Sequence, residues 1–145
     1  MGWLAAIKSN NVKAIVAYES FASCFPEGDV PVLPPLSDGS SGPVSDEVSV
    51  SEFAQLAKIP IQIVWGDHIP REPFPAVATD VWRLSAIASR EFVERINRRG
   101  GDASIVDLPS IGIVGNTHFP FSDLNTLQIA DLLSEFLRRK GLDEL

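Results

Sequence analysis

Three short apolar runs, at residues 12–18, 59–65 and 103–108, are separated by segments of helical periodicity, and this alternation limits the fold more than any other feature of the chain. Runs of this length and apolarity are expected of strands buried on both faces, as in a parallel sheet covered by helices. Parallel neighbours need crossover connections. Right-handed crossovers gather the residues that follow each strand at one rim, where open α/β sheets bind their ligands. The pattern therefore predicts an α/β fold built on a parallel sheet with flanking helices.

The helical segments are read from their stripes and ends. Residues 79–99 carry Val81, Leu84, Ala88, Phe92 and Ile96 at three- and four-residue steps. Arg95, Arg98 and Arg99 complement the negative end of that helix before Gly100-Gly101 stops it, so this basic run is assigned to helix termination. Residues 124–140 place Ile129, Leu132, Leu133, Phe136 and Leu137 on one face, with Asn125 and Gln128 spaced like a capping box. A short helix is expected over 51–57, capped by Ser51. Residues 3–9 read as the last turns of a helix, since no capping residue precedes them while Asn10-Asn11 are good helix stops. Between the first two strands, residues 20–49 form a long connection. Pro26, Pro31, Pro34, Pro35 and Pro43 rule out a continuous helix there, and Phe21, Phe25, Val30, Val32, Leu33 and Leu36 favour a cover packed on the protein.

Composition narrows what the rim can do. A chain of 145 residues holds one domain's worth of core. Its 12 basic and 19 acidic residues give a net charge of −7, and no Lys/Arg stripe is interleaved with aromatics, which argues against a nucleic-acid partner. No apolar run approaches the ~20 residues of a membrane span, and no hydrophobic signal core opens the chain, so neither a membrane partner nor an exported precursor is indicated. Cys24 is the single cysteine, which excludes an internal disulfide and a cysteine-built metal site and leaves the compartment undetermined.

Three groups follow the three strands: Glu19, Asp67 and His118, the last within Ile113-Val114-Gly115-Asn116-Thr117-His118-Phe119-Pro120-Phe121. An acid that orients an imidazole, which in turn activates a nucleophile, is the acid–base half of a hydrolytic triad. Either carboxylate precedes the histidine, as the chain order of α/β-hydrolases requires. A metal set of Asp67, His68 and His118 is a poor alternative, because the histidines lack a helical His-x-x-x-His spacing, and no metal or organic cofactor is implied. His68 reads as a loop residue near the pocket rim.

Val16-Ala17-Tyr18-Glu19, Ile63-Val64-Trp65-Gly66-Asp67-His68-Ile69-Pro70, Asn97-Arg98-Arg99-Gly100-Gly101 and Gly112-Ile113-Val114-Gly115-Asn116-Thr117-His118 resemble the C-terminal part of a group of bacterial α/β-hydrolase esterases. The likeness continues through Asp123-Leu124-Asn125 and Ile129-Ala130-Asp131-Leu132, and covers nearly the whole chain outside the variable cover loop at 20–50. It implies hydrolysis of a small-molecule carboxylic ester by Ser-His-Glu chemistry, with His118 as the catalytic histidine. In this group the acid follows the strand after the nucleophile's helix, which implies Glu19. Asp67 stands where most other α/β-hydrolases keep their acid and is the alternative. Phe21 and Phe25 from the cover loop, with His68 and Phe119, are then expected around the substrate pocket.

One departure from the family is decisive for activity. A nucleophile elbow needs Gly-x-Ser-x-Gly, because only small neighbours let the strained serine project from a sharp strand-to-helix turn, and no such motif occurs in the chain. Gly39-Ser40-Ser41-Gly42 has the wrong spacing, and Cys24 lacks the elbow context. The expectation is a partial α/β-hydrolase domain over 1–145, the C-terminal portion of the fold, lacking the N-terminal strands, nucleophile and oxyanion-hole donors and inactive alone. Its first strand would then present an open edge for a partner strand or a second copy. The alternative is a non-catalytic remnant or interaction module that pairs through that edge.

Overall fold

The computed structural model describes residues 2–43 and 45–143. In chain order the elements are α1 (Gly2–Lys8), β1 (Ile15–Tyr18), β2 (Cys24–Pro26), β3 (Asp46–Val48), α2 (Val50–Leu56), β4 (Ile61–Trp65), α3 (Val77–Arg98), β5 (Ala103–Asp107) and α4 (Thr126–Arg139). The main sheet has the order β1-β4-β5 and is parallel throughout, with Ile15 opposite Ile61 and Ile61 opposite Ala103. The protein is a mixed α/β structure whose parallel sheet is flanked by helices.

β4 is the central strand, and all five of its residues are buried. Period-two alternation divides them between two layers. Ile61, Ile63 and Trp65 join Phe53 and Leu56 of α2, Phe92 and Ile96 of α3, and Trp3 and Ala6 of α1 in the larger core. Val64 joins Leu108 and Ile129 in a smaller one beneath α4. Phe92 is the hub of the larger core, with its ring 4.6 Å from that of Trp3 and 5.8 Å from that of Phe53. Removing such a fully enclosed ring costs about 3–5 kcal/mol.

The 20–49 connection is better ordered than its prolines suggest. Cys24–Pro26 and Asp46–Val48 pair as a two-stranded parallel ladder, and Glu27 extends it by donating to Val48 O at 2.9 Å. Two arginines fix this connection to α3. Arg95 donates to Asp29 O at 2.8 Å and Arg99 to Asp29 Oδ2 at 3.1 Å, so the basic run does more than end the helix. A buried pair anchors its other end: Arg83 holds both oxygens of Asp80, at 2.6 and 2.8 Å. Asp80 also accepts from the backbones of Ser37 and Phe74, and Arg83 donates to Pro35 O. The guanidinium and these donors hold the Asp80 carboxyl well below the usual carboxylate range.

Several boundaries move for local reasons. Pairing in β4 begins at Ile61, after Pro60, whose carbonyl still accepts from Ile15 N at 2.9 Å. The cap of α2 is Ser49 rather than Ser51. Its hydroxyl accepts from Glu52 N, while the Glu52 carboxylate accepts from Ser49 N at 3.0 Å, a complete capping box. α4 starts at Thr126, and the expected box at Asn125 and Gln128 does not form because the Asn125 side chain is engaged elsewhere.

Candidate active site

At the end of β1 the Glu19 N–H makes one more rung of the ladder, donating to Val64 O at 2.8 Å. There the backbone turns into the left-handed region, with φ +44° at Glu19. A non-glycine residue adopts that conformation at a cost of about 1–3 kcal/mol, which the surroundings must offset. The turn folds the side chain inward, and Glu19 is only 4% exposed. Its Oε1 accepts from Gly66 N at 2.9 Å, and its Oε2 lies 2.8 Å from His118 Nδ1. Gly66 is required by close approach: a Cβ there would stand 2.7 Å from Glu19 Oε1 and 3.1 Å from Thr117 O.

The loop that carries His118 is pinned on both sides of the histidine. Asp67 Oδ2 accepts from Gly115 N at 2.6 Å. The Asp123 carboxylate accepts from Thr117 N at 2.7 Å and from Thr117 Oγ1 at 3.0 Å. Asn116 is fully buried, and its amide exchanges two hydrogen bonds with that of Asn125, at 2.8 and 3.0 Å. These bonds hold the segment between β5 and α4, whose only regular structure among the described residues is two short 3₁₀ helices, Leu108–Ile111 and Pro120–Ser122.

The imidazole is 40% exposed and sits against two rings, Trp82 at 4.2 Å between centroids and Phe119 at 4.8 Å. With Glu19 ionised, the short contact needs the proton on Nδ1. That tautomer leaves the Nε2 lone pair free, and no hydrogen bond to Nε2 is made among the described residues. An imidazole oriented in this way can accept a proton at Nε2 while the buried carboxylate balances the charge it gains.

The residues expected at the site separate into three groups. Glu19, His118 and Phe119 come together, with Phe21 next to them through an edge contact of 5.4 Å to Trp82. Asp67 and His68 lie on the adjoining loop. Asp67 reaches the backbone of the His118 loop rather than the ring, and its Oδ1 is buried without a partner among the described residues. His68 is exposed, with φ +65°. Phe25 is not at the site: it is fully buried in β2 with its ring 6.4 Å from Phe92 and belongs to the core, because the β2–β3 ladder turns it inward. Cys24, beside it, is also fully buried, and desolvation pushes its thiol up to about 12, which suits a core residue and not a nucleophile. Trp82, Asn116, Asp123 and Asn125 are additions from the structure. Trp82 lies off the apolar stripe of α3, and a tryptophan in that position is the one sequence signal that could have marked it. Among the described residues no group of three or more His, Cys, Asp or Glu side chains is placed to hold a metal, and no helix is long and apolar enough to cross a membrane.

No protein-family model matches the chain, and no curated protein matches it. Among solved structures, the atomic-resolution structure of a novel bacterial esterase is similar, with a TM-score of 0.53 and 28% identity. The likeness is to an esterase. It covers 82% of this chain and 30% of the esterase chain, so the protein described here spans less than a third of that enzyme's length. At this identity the match supports an esterase-like relationship as well as the shared α/β architecture.

Proposed function

We propose that Glu19 and His118 are the acid–base pair of a carboxylic-ester hydrolase, with the 2.8 Å contact between Glu19 Oε2 and His118 Nδ1 as the observation that carries this reading. In this scheme His118 Nε2 takes the proton of a serine hydroxyl as that oxygen attacks the ester carbonyl. The proton then passes to the departing alcohol, and a water activated at the same nitrogen hydrolyses the acyl-enzyme. Asp67 serves the loop and not the ring. The serine comes from polypeptide outside these 145 residues, since no nucleophile elbow occurs within them.

A place for that polypeptide is supported by β1. Its Ile15 N–H bonds Pro60, and the Glu19 N–H that follows it bonds Val64, so the N–H and C=O groups of Val16 and Tyr18 face away from β4 at the sheet edge. A groove of about 470 Å³ beside this edge is lined by Trp3, Ile15, Ala17, Ser20 and Phe21. A parallel strand added there would emerge at the same rim as His118. The open edge also favours a second reading, an interaction module that pairs through β1 and does no chemistry.

Replacing the matched portion of the bacterial esterase with this chain tests the two readings. Under the first, the chimera hydrolyses nitrophenyl esters and loses about 10²–10⁴ of its rate in His118→Ala. The isolated chain shows no turnover. A folded chimera whose hydrolysis is indifferent to His118→Ala overturns the acid–base reading, and turnover by the isolated chain that His118→Ala abolishes overturns the requirement for an outside nucleophile.

A further inference from the structure

Five aromatic rings and the His118 imidazole form an open circuit of ring contacts that passes Glu19 at His118. Phe21 meets Trp82 at 5.4 Å and 76°, Trp82 meets His118 at 4.2 Å and 53°, and His118 meets Phe119 at 4.8 Å and 59°. Phe119 then meets Phe121 at 5.9 Å and 71°, and Phe121 meets Tyr18 at 5.6 Å and 68°. The circuit begins and ends on residues that flank Glu19 in the chain, although its members come from the end of β1, from α3 and from the His118 loop. Phe21, Phe119 and Phe121 are each about half exposed. Phe119 touches the imidazole directly, while Phe21 reaches it through Trp82 and Phe121 through Phe119, and the packing of the fold gives no reason for three half-exposed phenylalanines to line up with one histidine in this way.

We propose that this circuit binds a flat, uncharged aromatic group of the substrate, so that neutral aryl esters are the class that the site accepts, with Trp82 as the residue that sets the specificity. The inference rests on the acid–base reading of Glu19 and His118. Three physical points favour an aryl group. Phe21, Phe119 and Phe121 keep about half of their surface in solvent, so ring surface is available to a further ring, and ring–ring contacts gain energy beyond the apolar area they bury. A carboxylate would face the negative faces of these rings, and the one ring that gains positive charge, His118, already has the Glu19 carboxylate beside it. A cationic group would oppose the positive charge that the imidazole itself acquires when it takes a proton.

Binding by the 145-residue chain can be read without hydrolysis, through the Trp82 indole N–H resonance during titration. The probes are 2-naphthyl acetate, hexyl acetate and acetylcholine. The expected result is that 2-naphthyl acetate binds most tightly and shifts the Trp82 indole while those of Trp3 and Trp65, both buried in the core, stay in place. Trp82→Ala should weaken that binding about tenfold and Trp82→Phe about threefold. Phe119→Ser, on the exposed loop, is a second variant that leaves the core intact and should also weaken it. Unchanged affinity in folded Trp82→Ala and Phe119→Ser, or equal or tighter binding of hexyl acetate or acetylcholine, overturns the proposal. The two readings fail separately: Trp82-dependent aryl binding beside a chimera indifferent to His118 removes the chemistry alone, and a His118-dependent chimera with no aryl preference removes the substrate class alone.

Discussion

The loops after β1 and β4 begin in the same way and end with different tasks. Each places a carboxylate just past its strand, Glu19 and Asp67, and each contains a non-glycine residue in the left-handed region, Glu19 itself and His68. Glu19 is buried with both oxygens engaged, one by the Gly66 N–H and one by the imidazole. Asp67 holds the Gly115 N–H with one oxygen and leaves the other without a partner among the described residues. Position after a strand thus brings a carboxylate to the rim, and the backbone turn that follows decides whether it meets the ring or the loop that carries the ring.

The largest expected effect is at Glu19. Glu19→Ala strands the Gly66 N–H and removes the imidazole's partner, so urea unfolding should show a loss of about 2–3 kcal/mol. Gly66→Ala attacks the same contact from the other loop. Its Cβ would meet Glu19 Oε1 at 2.7 Å, and relief of that overlap should cost about 1–3 kcal/mol and displace the carboxylate from His118. A stable Gly66→Ala protein with the contact intact would mean that the two loops are not coupled as described. Asp67→Ala should cost less, about 1 kcal/mol, with faster hydrogen exchange at the Gly115 amide and an unchanged Glu19–His118 pair.

A further test reads a slope and not an offset, and it uses Asp80 as a carboxylate remote from chemistry. Its folded value is depressed, so the stability it contributes is complete above the unfolded carboxylate value of about 3.9 and is lost as pH falls toward the folded one. Asp80→Asn should flatten the decline in stability below about pH 4. Asp67→Asn, measured in parallel, gives the comparison between a carboxylate in a buried ion pair and one that holds only a backbone N–H.

What could be read from the sequence follows from how local each signal is. β4 was legible because Ile61, Ile63, Val64 and Trp65 are buried from both sides, which leaves a continuous apolar run. The convergence of Glu19 and His118 was legible from strand order, since parallel connection brings strand ends together whatever their separation in the chain. Phe25 was misplaced because an aromatic in a proline-rich connection does not reveal which way it faces, and a ladder only three residues long gives no periodicity to read. The cap at Ser49 was in fact written in Ser49-Val50-Ser51-Glu52, where the glutamate three residues on marks the first serine. Asn125 shows the opposite case: it has the spacing of a cap, but Asn116, nine residues earlier, takes its side chain, and only the folded loop reveals that competition.

The partner of the imidazole decides which carboxylate is the acid, and the ¹⁵N and ¹H resonances of His118 report it directly. In the unaltered chain, neutral His118 should carry its proton on Nδ1, with a slowly exchanging, strongly downfield Nδ1–H signal. That signal should disappear in Glu19→Ala and persist in Asp67→Ala. A neutral ring protonated on Nε2, or a downfield signal lost in Asp67→Ala and kept in Glu19→Ala, would contradict the assignment of Glu19 as the acid beside His118.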